Sequence, residues 1–373
     1  MPGALTHRRW LVSFVIVFIS SVALASVINI IVDPYGLFHI IATHRFNFVK
    51  RYVSSDRMTK VYYLARVRPR TLLLGSSTIG SFDPGDLTRY TPSPVYNLAL
   101  GGAHIREMHA YLEHAASRYP VSMAVIGLDF SSFFPHDRRT GIHPGFAPER
   151  LSSRLFVSDY FDSLFSIDAL LRSLHTVRDN LAVQPRGHYV DYETGMFVWN
   201  ATYTPNERRS LDADRISYIC EVYDTPLRSR VLENITYLKQ LAEFANARRI
   251  SVHFYVTPTQ VTSFDGMYGA GLGALYARWQ QAIADVVPYY DFSGPNTINN
   301  DPEKYIDTLH LKPEGGRLIF ARLFGDAAIT VPSDFGVLIT RSNIDAHLRV
   351  LESRHSSTAP ATLPPDLCAR HGG

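Results

Sequence analysis

The sequence predicts an α/β protein: a mostly parallel sheet covered on both faces by helices, carried behind one membrane-spanning helix. Three observations predict it. From residue 71 onward, short apolar runs alternate with amphipathic helical segments, the pattern of βαβ units. The runs 71–74 and 121–130 are apolar along most of their length rather than at every second position, as strands buried on both faces are. Residues 10–32 form a nearly continuous apolar stretch without a charge, long enough to cross a hydrocarbon core as a helix.

That stretch is preceded by His7, Arg8 and Arg9 and ended by Asp33-Pro34. Positive charge on the short side stays in the cytoplasm. Residues 1–9 therefore read as a cytoplasmic tail, 10–32 as a transmembrane anchor, and the rest as facing outward, in a bacterium toward the periplasm. Ala23-Leu24-Ala25 before Ser26 also fits a signal-peptide cleavage site. The apolar run continues to Val32, beyond a usual signal peptide, which favours an uncleaved anchor. Either reading exports the domain.

Residues 33–70 read as an aromatic, basic juxtamembrane connector, with Arg57, Lys60 and Arg68-Pro69-Arg70 on solvated surface. The main domain is expected over 71–340. Strands are expected at 71–74, 95–100, 121–130, 251–256 and 289–292. Helices are expected at 105–118, 227–250, 274–287 and 317–324, the last following Gly315-Gly316. The clearest is 227–250, where Leu227, Val231, Ile235, Leu238 and Leu241 recur at three- and four-residue steps on one face. Residues 131–226 interrupt the alternation with weak periodicity and read as an inserted lid. Residues 341–373 read as a C-terminal helix and a flexible tail.

The chain has 373 residues, 46% of them hydrophobic, enough for a sizeable core, and a net charge of only +3 with dispersed basic residues. No nucleic-acid surface is indicated. Cys220 and Cys368 are the two cysteines; they can pair if the domain is exported, and no metal-ligand spacing occurs. His104, His109 and His114 are five apart, which does not align them on one helix face. No metal or organic cofactor is called for.

Ligands of open α/β sheets collect at the carboxyl ends of strands. Polar candidates fall there. Gly75-Ser76-Ser77 follows the first strand, Asn97 leads to Gly101-Gly102, Asp129 ends the third strand, and Asp307-Thr308-Leu309-His310 precedes the last helix. A serine hydroxyl needs a base to act as a nucleophile at neutral pH, and an Asp and a His three apart supply base and orienting acid. Taken singly, Gly-Ser-Ser is an ordinary turn and helix cap. Trp199, Tyr203, Tyr268 and Tyr276 are candidates for a sugar-stacking platform, although aromatics are more often core.

In order, spacing and strand context, these motifs resemble the SGNH (GDSL-like) hydrolase superfamily over residues 71–325. The Gly75-Ser76-Ser77 variant is similar to that of membrane-anchored proteins that modify cell-envelope polymers. The resemblance implies a flavodoxin-like three-layer parallel sheet, with Ser77, Asp307 and His310 catalytic and the amides of Ser77 and Gly102 forming an oxyanion hole. Asn97 matches the second motif. The third motif, Gly-x-Asn-Asp, is where the chain departs: Gly127-Leu128-Asp129 carries Asp129 at the asparagine position. A carboxylate donates no hydrogen bond unless protonated, so Asp129 reads as a structural carboxylate.

The implied activity is an acyl esterase or O-acetyltransferase working through an acyl-serine on a cell-envelope or exopolysaccharide carbohydrate. Transfer would imply a multipass membrane acyltransferase as partner. The Asp129 departure keeps a non-catalytic binding or assembly role open, and the nearby membrane keeps a lipid esterase open.

Overall fold

Three strands that are apolar at nearly every position form the centre of a six-stranded sheet: β2 (Thr71–Leu74), β4 (Met123–Leu128) and β7 (Ser251–Val256). The computed structural model describes residues 3–51, 55–135, 143, 145–152, 156–181, 187–200, 207 and 230–358. The sheet order is β3-β2-β4-β7-β8-β9, with β3 at Val95–Asn97, β8 at Tyr289–Asp291 and β9 at Val337–Ile339. Every pairing is parallel except β8 with β9. The antiparallel edge strand is an addition to the five strands expected.

Side chains leave the strands alternately for two cores. Leu72, Leu74, Ala124, Ile126 and Val256 join one; Leu73, Val125 and Tyr255 join the other. The first core is covered by α2 (Asp56–Val67), α3 (Ile105–Arg118), α8 (Ile235–Ala247) and α10 (Gly273–Val286). The second is covered by α11 (Pro313–Phe324) through Ile319, Phe320 and Leu323. Burial on both faces is why these strands read as continuous apolar runs.

Several boundaries differ from expectation. β3 stops at Asn97 and β4 at Leu128, because the residues that follow turn away to build loops at the sheet's carboxyl edge; β4 also begins two residues later than expected, at Met123. The expected helix 227–250 is broken at Asn234 into α7 (Arg230–Glu233) and α8. Asn234 Nδ2 donates to Phe133 O at 2.8 Å. α11 starts at Pro313 and includes Gly315 and Gly316. A Cβ at Gly315 would lie 2.2 Å from the Leu311 side chain and one at Gly316 2.8 Å from Phe82, so the glycines serve close packing rather than a helix stop. α9 (Val261–Gly269) is an element the sequence does not announce. The terminal helix, α12 (Ile344–Thr358), is docked by His347 Nε2, 2.6 Å from Asp291 Oδ2; the tail beyond it lies outside the described residues, as do Cys220 and Cys368.

The amino-terminal helix α1 runs Gly3–Val32, beginning inside the expected tail. His7–Val32 is long and apolar enough to cross a membrane.

The connector reading of 33–70 is corrected. After β1 (Lys50–Arg51), this segment forms α2, whose Val61 and Leu64 enter the main core and whose Asp56, Arg57, Thr59 and Lys60 are also buried. The lid reading of 131–226 is refined. Its described part holds α4 (Pro148–Ser152), α5 (Val157–Phe165), α6 (Ile167–Leu181) and a hairpin of β5 (Gly187–Asp191) with β6 (Met196–Asn200). Helices α5 and α6 pack on α1, while β5 pairs with β1. Among these described elements, the hairpin is the one that approaches the sheet's carboxyl edge. Its turn seats there because Gly195 has φ +76° and no side chain: a Cβ would fall 2.0 Å from Asn97 O.

Candidate active site

The chain reverses direction in the sheet between β2, which pairs onward to β3, and β4, which pairs toward β7. The crevice beyond such a point is where open α/β sheets bind ligands. Ser77 follows β2 there and Asp129 follows β4.

Gly75 makes the turn possible: a Cβ on it would lie 2.6 Å from Ile79 Cδ1 and 3.0 Å from Gly127 O. Ser76 caps the short 3-10 turn Ser77–Ile79, accepting from Thr78 N at 3.3 Å. Asn97, buried in β3, anchors the same turn. Its Nδ2 faces the carbonyls of Ile79, Gly80 and Phe82 at 2.9–3.1 Å, and its Oδ1 accepts from Ala99 N. Asn97 is thus a support for the Ser77 turn.

The opposite wall is the loop 305–311, a tight reversal closed by Ile306 N donating to His310 O at 2.8 Å. Asp307 Oδ1 accepts from the amides of Leu309 (2.8 Å) and His310 (2.9 Å). These bonds explain the Asp-x-x-His spacing: the carboxylate caps its own turn and so meets the ring three residues on. Asp307 Oδ1 and Oδ2 both lie 2.8 Å from His310 Nδ1. With the Nδ1 proton directed to Asp307, Nε2 is left as acceptor, and it lies 2.9 Å from Ser77 Oγ. Ser77, His310 and Asp307 are therefore hydrogen-bonded in series. His310 and Asp307 are each 2% exposed, so water competes little for either bond.

These residues open on a cavity of about 270 Å³. Gly102 lines it, with φ +56° in the left-handed region that favours glycine. Phe130, Val256, Phe264 and Met267 form an apolar side, and Trp199 and Tyr276 also line it. Trp199 reaches in from β6, and its ring sits 4.7 Å from that of His310. Of the other platform candidates, Tyr268 packs on His355 instead, and Tyr203 lies outside the described residues.

Asp129 lines the same cavity and is buried. Its Oδ1 accepts from Thr78 Oγ1 at 2.9 Å and from Thr257 Oγ1, which ties the ends of β2, β4 and β7 together. Its Oδ2 has no hydrogen-bond partner among the described residues. Burial pushes this carboxyl above its ordinary value; the neighbouring hydroxyls of Ser76, Thr257 and Thr78, and the nearby His310, pull the other way without cancelling it.

The supporting layer that the sequence did not reveal is α2. Asp56 Oδ2 accepts from Gly101 N at 2.7 Å, fixing the Gly101-Gly102 turn. Arg57 pairs with Glu107 at 2.7 Å, and Glu107 closes the amino-terminal cap of α3 with His104. Lys60 Nζ donates to Asn97 O (3.0 Å), Ala99 O (2.6 Å) and Gly195 O (2.6 Å), and lies 4.4 Å from the Phe197 ring centre. The expectation that Arg57 and Lys60 are solvated is thus overturned. The available signal was Asp56-Arg57 and Lys60 one turn apart on the face that also carries Val61 and Leu64.

Burial pushes the Lys60 ammonium down to about 7 from its ordinary 10.5, with Asp56 acting in the opposite direction. Between those values the unfolded chain binds the proton and the folded chain releases it, so stability rises with pH across that window. The rise amounts to on the order of 5 kcal/mol at full titration. Lys60→Met is expected to flatten this dependence and, by taking the two N–H donors of the neutral amine away from buried carbonyls, to lower stability at pH 10 by several kcal/mol. Denaturant midpoints of both proteins between pH 7 and 10 check this; equal slopes would refute it.

His104 caps α3, and His114 Nδ1 lies 2.7 Å from Leu151 O. Among the described residues no group of three or more His, Cys, Asp or Glu is placed to hold a metal. No protein-family model matches the chain, and a search of curated proteins found no match.

Proposed function

We propose that this protein is a membrane-anchored, extracytoplasmic serine acyl esterase or O-acetyltransferase of the SGNH (GDSL-like) type, acting on ester groups of a cell-envelope or exopolysaccharide carbohydrate. The observation that carries the reading is the series Ser77 Oγ, His310 Nε2, His310 Nδ1, Asp307, with steps of 2.9 and 2.8 Å at the mouth of a cavity. The strand order supports the fold assignment: numbered along the chain, the five parallel strands run 2-1-3-4-5, the flavodoxin-like order.

In this reading His310 takes the Ser77 proton as Oγ attacks the acyl carbonyl, and Asp307 stabilises the imidazolium. The amides of Ser77 and Gly102 receive the oxyanion. The tetrahedral intermediate expels the sugar alkoxide, which leaves with the proton from His310. The acyl group on Ser77 then passes to water or to another sugar hydroxyl, and His310 deprotonates that acceptor. No metal or organic cofactor enters these steps. Trp199 and Tyr276 give a sugar ring aromatic surface beside the nucleophile, the arrangement that favours a carbohydrate. The apolar side of the cavity favours the second reading, a lipid esterase, which an acyl-chain-length series separates from the first. Where the acyl group on Ser77 comes instead from a donor presented by a multipass membrane acyltransferase, that donor's leaving group is expelled in place of the sugar and takes the proton from His310. Helix α1 would hold the protein in a bacterial cytoplasmic membrane, with His7, Arg8 and Arg9 on the inner side.

Asp129 supplies the third oxyanion donor in its acid form, through the otherwise unpartnered Oδ2. Burial raises this carboxyl's pKa, and wherever it carries its proton it can donate as the asparagine amide of the resembled motif does. Turnover is therefore expected to fall as pH rises through the raised Asp129 pKa, by on the order of 10²–10³-fold, the worth of one oxyanion donor. Asp129→Asn, which donates at every pH, is expected to abolish that fall. Profiles of kcat against pH for both proteins check this; a fall retained in the variant would assign the titration to another group.

The reading is tested on full-length protein in detergent with a serine-directed fluorophosphonate and a chromogenic acetyl ester. Ester turnover with the label mapped to Ser77 supports it. Absence of both, with the multipass partner supplied, leaves a non-catalytic assembly role.

A further inference from the structure

Helices α5 and α6 pack on the outer end of α1 through small and polar groups. Asn29 Nδ2 and Ser26 Oγ donate to Leu164 O at 3.1 and 3.3 Å, and Ser173 Oγ donates to Asn29 Oδ1 at 2.9 Å. Ala169, Ser173, Thr176 and Asn180 form the buried side of α6. The apolar residues lie elsewhere. On α5, Phe161 is 61% exposed; on α6, Ile167 is 77% and Leu174 58% exposed, with Phe165, Leu171 and Leu181 exposed as well. Their four- and three-residue steps make one stripe on each helix. A soluble surface exposes such residues singly, not as a run along two adjacent helices.

The bonds to Leu164 also set a height. Ser26 lies six residues before the end of α1, a rise of about 9 Å. Counting about 30 Å of hydrocarbon from Trp10 puts the far boundary near Asn29 or Ile30. The α5–α6 corner is therefore level with the outermost part of that layer. Around the corner the exposed apolar surface continues onto α1 at Leu24, Val27 and Ile31. Ile40, 63% exposed, lies in the adjacent loop, where Asn47 Nδ2 donates to the carbonyls of Ile31, Val32 and Ile41. Asp168, Arg172 and His175 run beside the α6 stripe. Apolar and polar stripes side by side suit a helix lying in a membrane interface.

We propose that α5 and α6 form a monotopic platform seated in the leaflet where α1 emerges, with phospholipid covering the exposed stripe. This rests on the reading of α1 as a membrane span. The platform would set the height and tilt of the cavity above the bilayer. Asn180 of α6 holds Val49 through two hydrogen bonds of 2.7 and 2.8 Å. The next residues form β1, which pairs with the hairpin that carries Trp199.

The test is spin-label accessibility on the full chain, with Cys220→Ser and Cys368→Ser, in phosphatidylcholine–phosphatidylglycerol vesicles. Single labels go at Val17→Cys on α1, at Phe161→Cys, Ile167→Cys or Leu174→Cys on the platform, and at Lys239→Cys on α8. Collision with oxygen is compared with collision with a water-soluble nickel chelate. The expected result is an oxygen-to-chelate ratio several-fold higher at the platform sites than at Lys239→Cys, as at Val17→Cys. A lipid-type ratio at Val17→Cys with aqueous ratios at all three platform sites would overturn the platform and leave the span intact. Labels shielded from both reagents would mean that protein covers the face, which also overturns the lipid assignment. An aqueous ratio at Val17→Cys would remove the span itself and the platform with it.

Discussion

Ser77→Ala is expected to lower turnover of an acetyl ester by on the order of 10⁴–10⁶-fold, the cost of deleting the nucleophile of a serine hydrolase. The variant is expected to fold. The Ser77 side chain bonds His310 Nε2 at the cavity mouth, whereas the turn that carries it is built by Ser76, Asn97 and the absence of a Cβ at Gly75. Stability close to that of the parent, together with loss of both turnover and fluorophosphonate labelling, is the pattern that assigns the chemistry to this hydroxyl. A variant that keeps its turnover would remove Ser77 from the reaction, whatever the fold resembles.

Asp307→Asn is expected to cost on the order of 10⁴-fold in kcat, for a different reason. The carbonyl oxygen of the substituted side chain can still accept from the amides of Leu309 and His310, so the loop that carries the histidine keeps its main internal bonds. What changes is the other oxygen. An amide NH₂ facing His310 Nδ1 favours the tautomer with the proton on Nε2, which then cannot accept from Ser77. The ring stays in place with its proton on the wrong nitrogen. Near-parental stability with a large loss in kcat and little change in KM is the expected signature. A loss confined to KM would mean that Asp307 shapes binding rather than the base.

Much of this architecture is legible in the sequence because burial on both faces leaves a direct mark. The runs 71–74, 121–130 and 251–256 hold the central strands. The Asp-x-x-His spacing is equally local, since Asp307 bonds its own loop and its own histidine within three residues. The parts that are not legible are determined by distant partners. Lys60 resembles any surface lysine of an amphipathic helix until the carbonyls of Asn97, Ala99 and Gly195 close around it. The weak-periodicity reading of the insertion fails at α5 and α6, whose apolar residues do recur at three- and four-residue steps but face outward, with small and polar residues on the buried side, so they do not look like helices packed on the sheet. Asp129 reads as a structural carboxylate, and its Oδ1 ties Thr78 to Thr257 accordingly. Its Oδ2, left without a hydrogen-bond partner among the described residues, is a feature that no sequence pattern announces.

Ser77 and His310 are 233 residues apart, and that separation has a consequence in time. A chain made at roughly 5–20 residues per second produces the serine roughly 10 to 50 s before the histidine. Throughout that interval Ser77 is an ordinary alcohol. The Trp199 hairpin, the Asn97 anchor and the apolar cavity wall are all made before the base that would activate the hydroxyl. Under the proposed serine chemistry, a chain arrested anywhere before Asp307 would have the pocket sequences but not the base, and the order of the chain would keep an unfinished polypeptide inactive toward esters.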